Sequence, residues 1–159
     1  MAKGRKQKNF SGTANSQEEQ RFKQKLIDLR RVSRTVAGGK RLRFRATMVI
    51  GDANGQIGFG VAKGIDVAGA IAKAVVQAQK NIIKIPIVNE TIPSEIRAKY
   101  KAVEVLIKPA RIGHGLVAGG PVRVALNLGG VKNATGKIIR GKNKVNVIKA
   151  VFKALEKLV

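Results

Sequence analysis

Residues 41–50, RLRFRATMVI, set Leu42, Phe44, Ala46, Met48 and Ile50 against Arg41, Arg43, Arg45 and Thr47. Successive side chains of a strand point to opposite faces, so this alternation reads as a strand with one apolar and one basic face. Asp52-Ala53-Asn54-Gly55 follows as a turn, with Asn54-Gly55 expected to supply the positive φ angles of a tight hairpin. Gln56 to Val61 then forms the returning strand, thinned by glycine. Asp66 stands at an N-cap position, where its carboxylate can accept from free amides of the first helical turn. Val67, Ile71, Ala74, Val75, Ala78 and Ile82 recur behind it at helical spacing. Residues 41–84 therefore read as hairpin then helix. The helix is expected to cover the apolar face of the sheet and leave the basic face outward.

Upstream, Gly38-Gly39 breaks the chain, and 18–36 is ambiguous. Phe22, Leu26 and Leu29 fit a helix, whereas Ile27, Leu29, Val32 and Val36 fit a strand with a change of register. Residues 1–17 lack periodicity and read as a disordered basic arm. Downstream, Ile85 to Pro93 contains two prolines and a turn-like Asn89-Glu90-Thr91, the features of a linker. A second unit over 94–159 reads as strand (Ala102 to Ile107), glycine-rich loop (110–120), helix (Val122 to Leu128), strand (Val131 to Ile139) and a last helix. That helix is expected to be capped by Asn146, with Ile148, Val151, Phe152, Leu155 and Leu158 on one stripe. Pro121 suits a first helical position.

Charge points to the partner. The 159 residues carry 32 Lys and Arg against 9 Asp and Glu, a net charge of +23. Such an excess repels itself in a folded chain unless a polyanion neutralises it, and nucleic acid is the first polyanion to consider because phosphate contacts release counterions. Acids are missing from two long stretches. Seven basic residues lie between Asp28 and Asp52, and ten between Glu104 and Glu156; a solvated surface normally mixes both signs. An anionic membrane is the rival partner, but no apolar run approaches a spanning length. Hydrophobic residues make up 44% of the chain, which excludes a disordered basic tail. Aromatics make up only 4%, which argues against a base-stacking platform.

The chemical motifs fail one by one. Without cysteine there is no disulfide, thiolate or common zinc finger. His114 is the sole histidine and lacks a nucleophile and an orienting acid, so neither catalysis nor a histidine metal site is expected. Residues 136–143, GKIIRGKN, approach a phosphate-binding loop but place Asn143 where Ser or Thr must hold magnesium. Asp52-Ala53-Asn54-Gly55 begins like a calcium loop, yet positions six and twelve are Ile57 and Lys63. Lys63-Gly64, just ahead of the helix, is a weak phosphate candidate. No catalytic residue, metal or cofactor is expected. A nucleotide-dependent enzyme and a free-standing double-stranded-RNA chaperone are the other classes considered.

The segment Arg31-Val-Ser-Arg-Thr-Val36 with Gly38-Gly39-Lys40 resembles the opening of the bacterial-type small-subunit ribosomal protein five family. Phe44, Ala46, Val49-Ile50-Gly51-Asp52, Gly55, Ile57-Gly58, Gly60 and Ala62-Lys63 continue that signature in register. In the second half, Lys108-Pro109-Ala110, Gly115, Val117-Ala118-Gly119-Gly120, Asn143 and Asn146-Val147 fit it as well. The resemblance implies an α+β fold: an N-terminal double-stranded-RNA-binding-like sheet backed by one helix over 18–84, a linker over 85–93, and a C-terminal small α/β domain with two helices over 94–159. The 18–36 stretch should then be largely strand.

The resemblance also implies a cytoplasmic protein of the small ribosomal subunit. Its partners would be small-subunit rRNA and the fourth and eighth small-subunit ribosomal proteins, near the messenger RNA entry path, with an effect on decoding accuracy. The expected RNA-binding residues are Arg31, Ser33, Arg34, Gly38, Gly39, Lys40, Arg41, Arg43, Arg45 and Lys63 in the first half, and Arg111, Arg140, Lys142 and Lys144 in the second. Gly38 and Gly39 are expected to let the backbone approach a phosphate. Two loops depart from the family pattern. Residues 111–115 read RIGHG where Ser-Glu-Gly-Thr-Gly is common, and 140–144 read RGKNK where Gly-Ser-x-Asn-Pro is common. Each change adds basic charge and is expected to add RNA contact.

Overall fold

The computed structural model describes residues 22–158; the arm expected over 1–17 lies outside the described residues. The chain begins with β1 (Lys23–Val36), β2 (Gly39–Gly51) and β3 (Gln56–Gly64), continues through α1 (Val67–Lys80), and closes a first sheet with β4 (Ile82–Lys84). This sheet is antiparallel in the order β1-β2-β3-β4. The ambiguous 18–36 stretch is strand from Lys23 onward. It pairs with β2 along its length, with a register shift between Leu26 and Asp28. The extra residue places Leu26 and Leu29, three apart in sequence, on one face opposite Met48 and Ala46. Leu29 and Val32 remain on opposite faces, so the register change read between them is not a break in the strand but the passage from one face to the other.

Packing of α1 explains the glycines of β3. Ala70, Ala74 and Ala78 are fully buried on one side of the helix, four residues apart and so stacked along one face. They meet Gly64, Gly60 and Gly58, which share a face of the strand. A Cβ added at Gly60 would lie 2.0 Å from the Ala74 carbonyl oxygen, and one at Gly58 would lie 2.4 Å from that of Ala78. The helix is therefore seated on bare backbone. Asp66 caps it as expected, its Oδ1 accepting from Val67 N at 2.6 Å. Ile82 leaves the helical stripe and enters β4.

The expectation that the opposite face points outward holds only for the distal part of the sheet. Thr47 and Val49, on the same face as Arg43 and Arg45, are fully buried. The second half of the chain covers them. Val49 and Ile57 belong to one apolar core with Val105, Leu126, Phe152 and their neighbours, and the Phe59 and Phe152 rings sit 4.5 Å apart. The turn between β2 and β3 is part of this junction and differs from a tight Asn-Gly hairpin. Positive φ falls at Ala53 and Gly55, and not at Asn54. The Asp52 carboxylate organises the loop by accepting from Asn54 N at 2.8 Å and Gln56 N at 2.9 Å. Ala53 N and Gly55 N are thereby free to donate to the Leu128 and Gly129 carbonyls at 3.0 and 2.9 Å.

The second half carries β5 (Ile96–Tyr100), β6 (Val103–Pro109), β7 (Leu116–Ala118), α2 (Gly120–Leu128), β8 (Ala134–Arg140) and α3 (Lys144–Glu156). Its sheet order is β5-β6-β8-β7, with only β7 and β8 parallel. Two of these strands add to the expected strand, helix, strand, helix. β5 buries only Ile96 and Ala98, a weak apolar signal, and β7 is three residues long among glycines. The last helix starts earlier than expected. Asn143, not Asn146, is its cap, accepting from Val145 N at 3.2 Å. Between the sheets, Ile85 and Ile92 are buried, and Asn89 and Glu90 take positive φ in a tight turn closed by the Val88–Thr91 bridge.

The Gly60→Ala variant is expected to lose about 1–3 kcal/mol in urea unfolding, the range for overpacking a close-packed contact. Gly69→Ala, with nothing near its added Cβ, should not lose stability.

Candidate nucleic-acid interface

The register of the first sheet decides which cations share a surface. Residues directly opposite in an antiparallel pair point the same way. Arg30 faces Arg45, Val32 faces Arg43, and Arg34 faces Arg41 across β1 and β2, while Arg45 faces Lys63 across β2 and β3. These pairs all lie on the face opposite α1. Beyond Arg45 no part of the second half covers them. Six cations drawn from three strands therefore occupy one open surface: Arg30, Arg34, Arg41, Arg43, Arg45 and Lys63. Within it, Val32, Arg34, Val36, Arg41, Arg43 and Lys63 line a concavity of about 280 Å³.

The same parity separates other expected residues from this surface. Arg31 pairs with Phe44, Ser33 with Leu42 and Thr35 with Lys40, which sends the Arg31, Ser33 and Lys40 side chains to the other face, past the end of α1. Leu42 is half exposed there because the hairpin outruns the helix. Gly38 and Gly39 form the hairpin end with Ala37. Gly39 has φ +140°, a conformation that side chains resist, whereas Gly38 has no neighbour within 4 Å of an added Cβ and no such φ. Among the described residues nothing lies within 4 Å of a Cβ added at either glycine.

One carboxylate lies under this surface. Asp28 is buried, and its oxygens lie 3.0 Å from Arg30 Nε, 3.7 Å from Arg45 Nη2 and 3.8 Å from Lys144 Nζ. Lys144 begins α3, so the first acid-poor stretch and the second meet here. Lys142 lies just ahead on the exposed approach to that helix. Arg140, at the end of β8, pairs in register with Glu104 on β6. The Glu104 carboxyl is held below its ordinary range, chiefly by the hydrogen bond from Arg97 at 2.6 Å; the charges of Arg97, Lys99 and Arg140 act in the same direction, against desolvation.

Arg111 lies at the opposite end of β8, far from this cluster. Its loop is held rigidly, because the buried Asn133 Oδ1 accepts from Gly113 N at 3.2 Å and Gly115 N at 3.0 Å. His114 on that loop is exposed and lies 3.4 Å from Thr135 Oγ1. Among the described residues no group of acids and histidines could hold a metal ion. The near phosphate loop dissolves into structure, since Gly136 is inside β8 and Asn143 caps α3.

Arg30 is the basic residue of this face that the expected set omits. Its spacing of four from Arg34, within a strand, was the available signal. Asp28 was also missed, because a lone acid ahead of a basic run reads as an ordinary surface charge.

Two family models match the chain: "Ribosomal protein S5, N-terminal domain" over 22–86 and "Ribosomal protein S5, C-terminal domain" over 98–159. The chain belongs to the ribosomal protein S5 family. Among its relatives are proteins named small ribosomal subunit protein uS5. The one from Mycoplasma mobile is 42% identical over 94% of this chain and 62% of its own length. The one from Persephonella marina is 46% identical over 84% and 70%, and the one from Thermotoga neapolitana 40% over 86% and 77%. The chain thus spans under two thirds of the Mycoplasma relative and more of the other two. The S5 family consists of structural ribosomal proteins and not of enzymes. The sheet backed by α1, and the α/β half with α2 and α3, correspond to the two halves of an S5 protein.

A phosphate-binding role for the open face makes a specific demand on salt dependence. Arg34→Ala and Arg41→Ala should each lower the slope of log affinity against log salt for small-subunit rRNA by about 1, the value for one lost phosphate contact. Lys73→Ala, on the exposed side of α1, should leave it unchanged. Equal slopes for all three would remove the basis for this interface.

Proposed function

We propose that this S5-family protein is a structural constituent of the small ribosomal subunit that grips rRNA with the open face of its first sheet and contributes to decoding accuracy. Family membership supports the ribosomal role and a cytoplasmic location within the small subunit. The observation that carries the RNA contact is the one-signed surface of Arg30, Arg34, Arg41, Arg43, Arg45 and Lys63, built from three adjacent strands.

Mechanistically, the guanidinium and ammonium heads neutralise phosphates and fix the protein's register on the RNA, without reading base identity. Arginine suits this task because its planar fork can donate two parallel bonds to one phosphate. Strand positions hold those heads at fixed spacing, so the sheet acts as a template for backbone shape. The hairpin tip at Gly38-Gly39, bare of side chains, fits where a phosphate must approach main-chain amides. Arg31, Ser33 and Lys40 on the reverse side would reach a second RNA segment, so that the hairpin is held from both sides. Lys142 and Lys144 extend the open face onto α3, while Arg111 and Arg140 would touch RNA at the two ends of β8.

The reading extends to neighbours. The fourth and eighth small-subunit ribosomal proteins are the proposed protein partners, near the messenger RNA entry path. A protein clamped to rRNA there would affect accuracy by setting how readily the subunit changes shape during decoding.

Sedimentation of the tagged protein from its own cells, with a moderate salt wash, tests the reading. Stoichiometric recovery with the small subunit is expected. A free pool, or one spread over mixed RNAs, would leave a general double-stranded-RNA chaperone in its place.

A further inference from the structure

We propose that Asp28, an acid, strengthens RNA binding: its buried carboxylate is a positioning group that aims Arg30 and Arg45 on the open face and ties Lys144 of the second half to them. The inference rests on the reading of that face as an rRNA interface.

The geometry is unusual for a surface so strongly positive. Arg30 and Arg45 are directly opposite each other on adjacent strands, a placement in which like charges repel. Asp28 shares their face and lies two residues before Arg30. Its side chain is 7% exposed, whereas those of Arg30, Arg45 and Lys144 are 60%, 28% and 50% exposed. A buried carboxylate is tolerated only when cations compensate it, and these three do so from one side while their outer sides stay open.

The atoms engaged leave room for a second anion. Arg30 meets Asp28 through Nε, and its two Nη groups have no ion-pair partner among the described residues. Arg45 meets it through Nη2, and its Nε is buried with no partner among the described residues, so the stem of the side chain is packed inside while its head reaches the surface. Lys144 comes from the first turn of α3, so the same carboxylate also draws a cation of the second half toward the hairpin. The heads are thus ordered before RNA arrives, and binding does not have to immobilise them.

The test turns on sign. Asp28→Asn and Asp28→Leu each make the protein one unit more positive. If Asp28 were only a countercharge, both would bind a full-length small-subunit rRNA transcript more tightly. Positioning predicts the reverse, binding weaker by about fivefold, the ordering cost of one or two long side chains at an interface. Asp28→Glu should restore most of the loss. Leu fills the buried site without a polar group, so that a folded variant is available if Asn unfolds the chain; thermal unfolding identifies which variants to compare. Arg34→Ala, which does not touch Asp28, is run alongside. Loss of affinity in Arg34→Ala together with tighter binding by the Asp28 variants would overturn the positioning role and leave the interface standing. No change in Arg34→Ala would instead overturn the interface itself.

Discussion

The second half of the chain lies over Thr47, Val49 and Phe59 and stops at Arg45, and the rest of the molecule depends on that boundary. Below it, β2 is buried on both faces, by α1 on one side and by the core around Val105, Leu126 and Phe152 on the other. Above it, β1 and β2 continue as a hairpin that no other described element covers. A strand with a single repeating pattern thus passes from core to surface along its length. The residues follow, with Val49 and Thr47 inside and Arg45, Arg43 and Arg41 outside.

Backbone contacts reinforce the apolar core at that junction. The loop at Asp52–Gly55 donates to the end of α2, and an added Cβ at Gly51 or Gly130 would come within 2.2 Å or 2.1 Å of a facing carbonyl oxygen. Contacts between main chains leave little freedom to slide, and so they fix where the cover ends. The exposed hairpin can then carry opposed arginines whose mutual repulsion would unsettle a free-standing two-stranded ribbon. The packed base supplies the stability, and a polyanion relieves the charge.

Much of this was legible in the sequence, for physical reasons that can be named. The alternation in 41–50 and the Asp66 cap depend on neighbours close in the chain, so they survive without tertiary information. Residues 18–36 were ambiguous between helix and strand, and only pairing with β2 decides for strand and places the bulge before Asp28. The covered fate of Thr47 and Val49 was not legible, because it is set by residues from a different sheet. β5 carries only Ile96 and Ala98 as its apolar signal, too few to show a period, and the three residues of β7 carry none. The site was half legible. Basic character singled out the hairpin that carries the cation cluster, but face is a matter of parity, and parity moves Arg31, Ser33 and Lys40 away from the cluster while bringing in Arg30. Asp28 gains its meaning only when Lys144, more than a hundred residues later, is placed beside it.

The absence of cysteine permits a direct test of which surface meets RNA. A cleavage-generating iron chelate is attached to single cysteines in reconstituted small subunits, at Val36→Cys on the open face and at Gln77→Cys on the exposed side of α1. The account predicts strong local scission of the rRNA backbone from Val36→Cys and little from Gln77→Cys. Equal scission from both, or scission from Gln77→Cys alone, would contradict it.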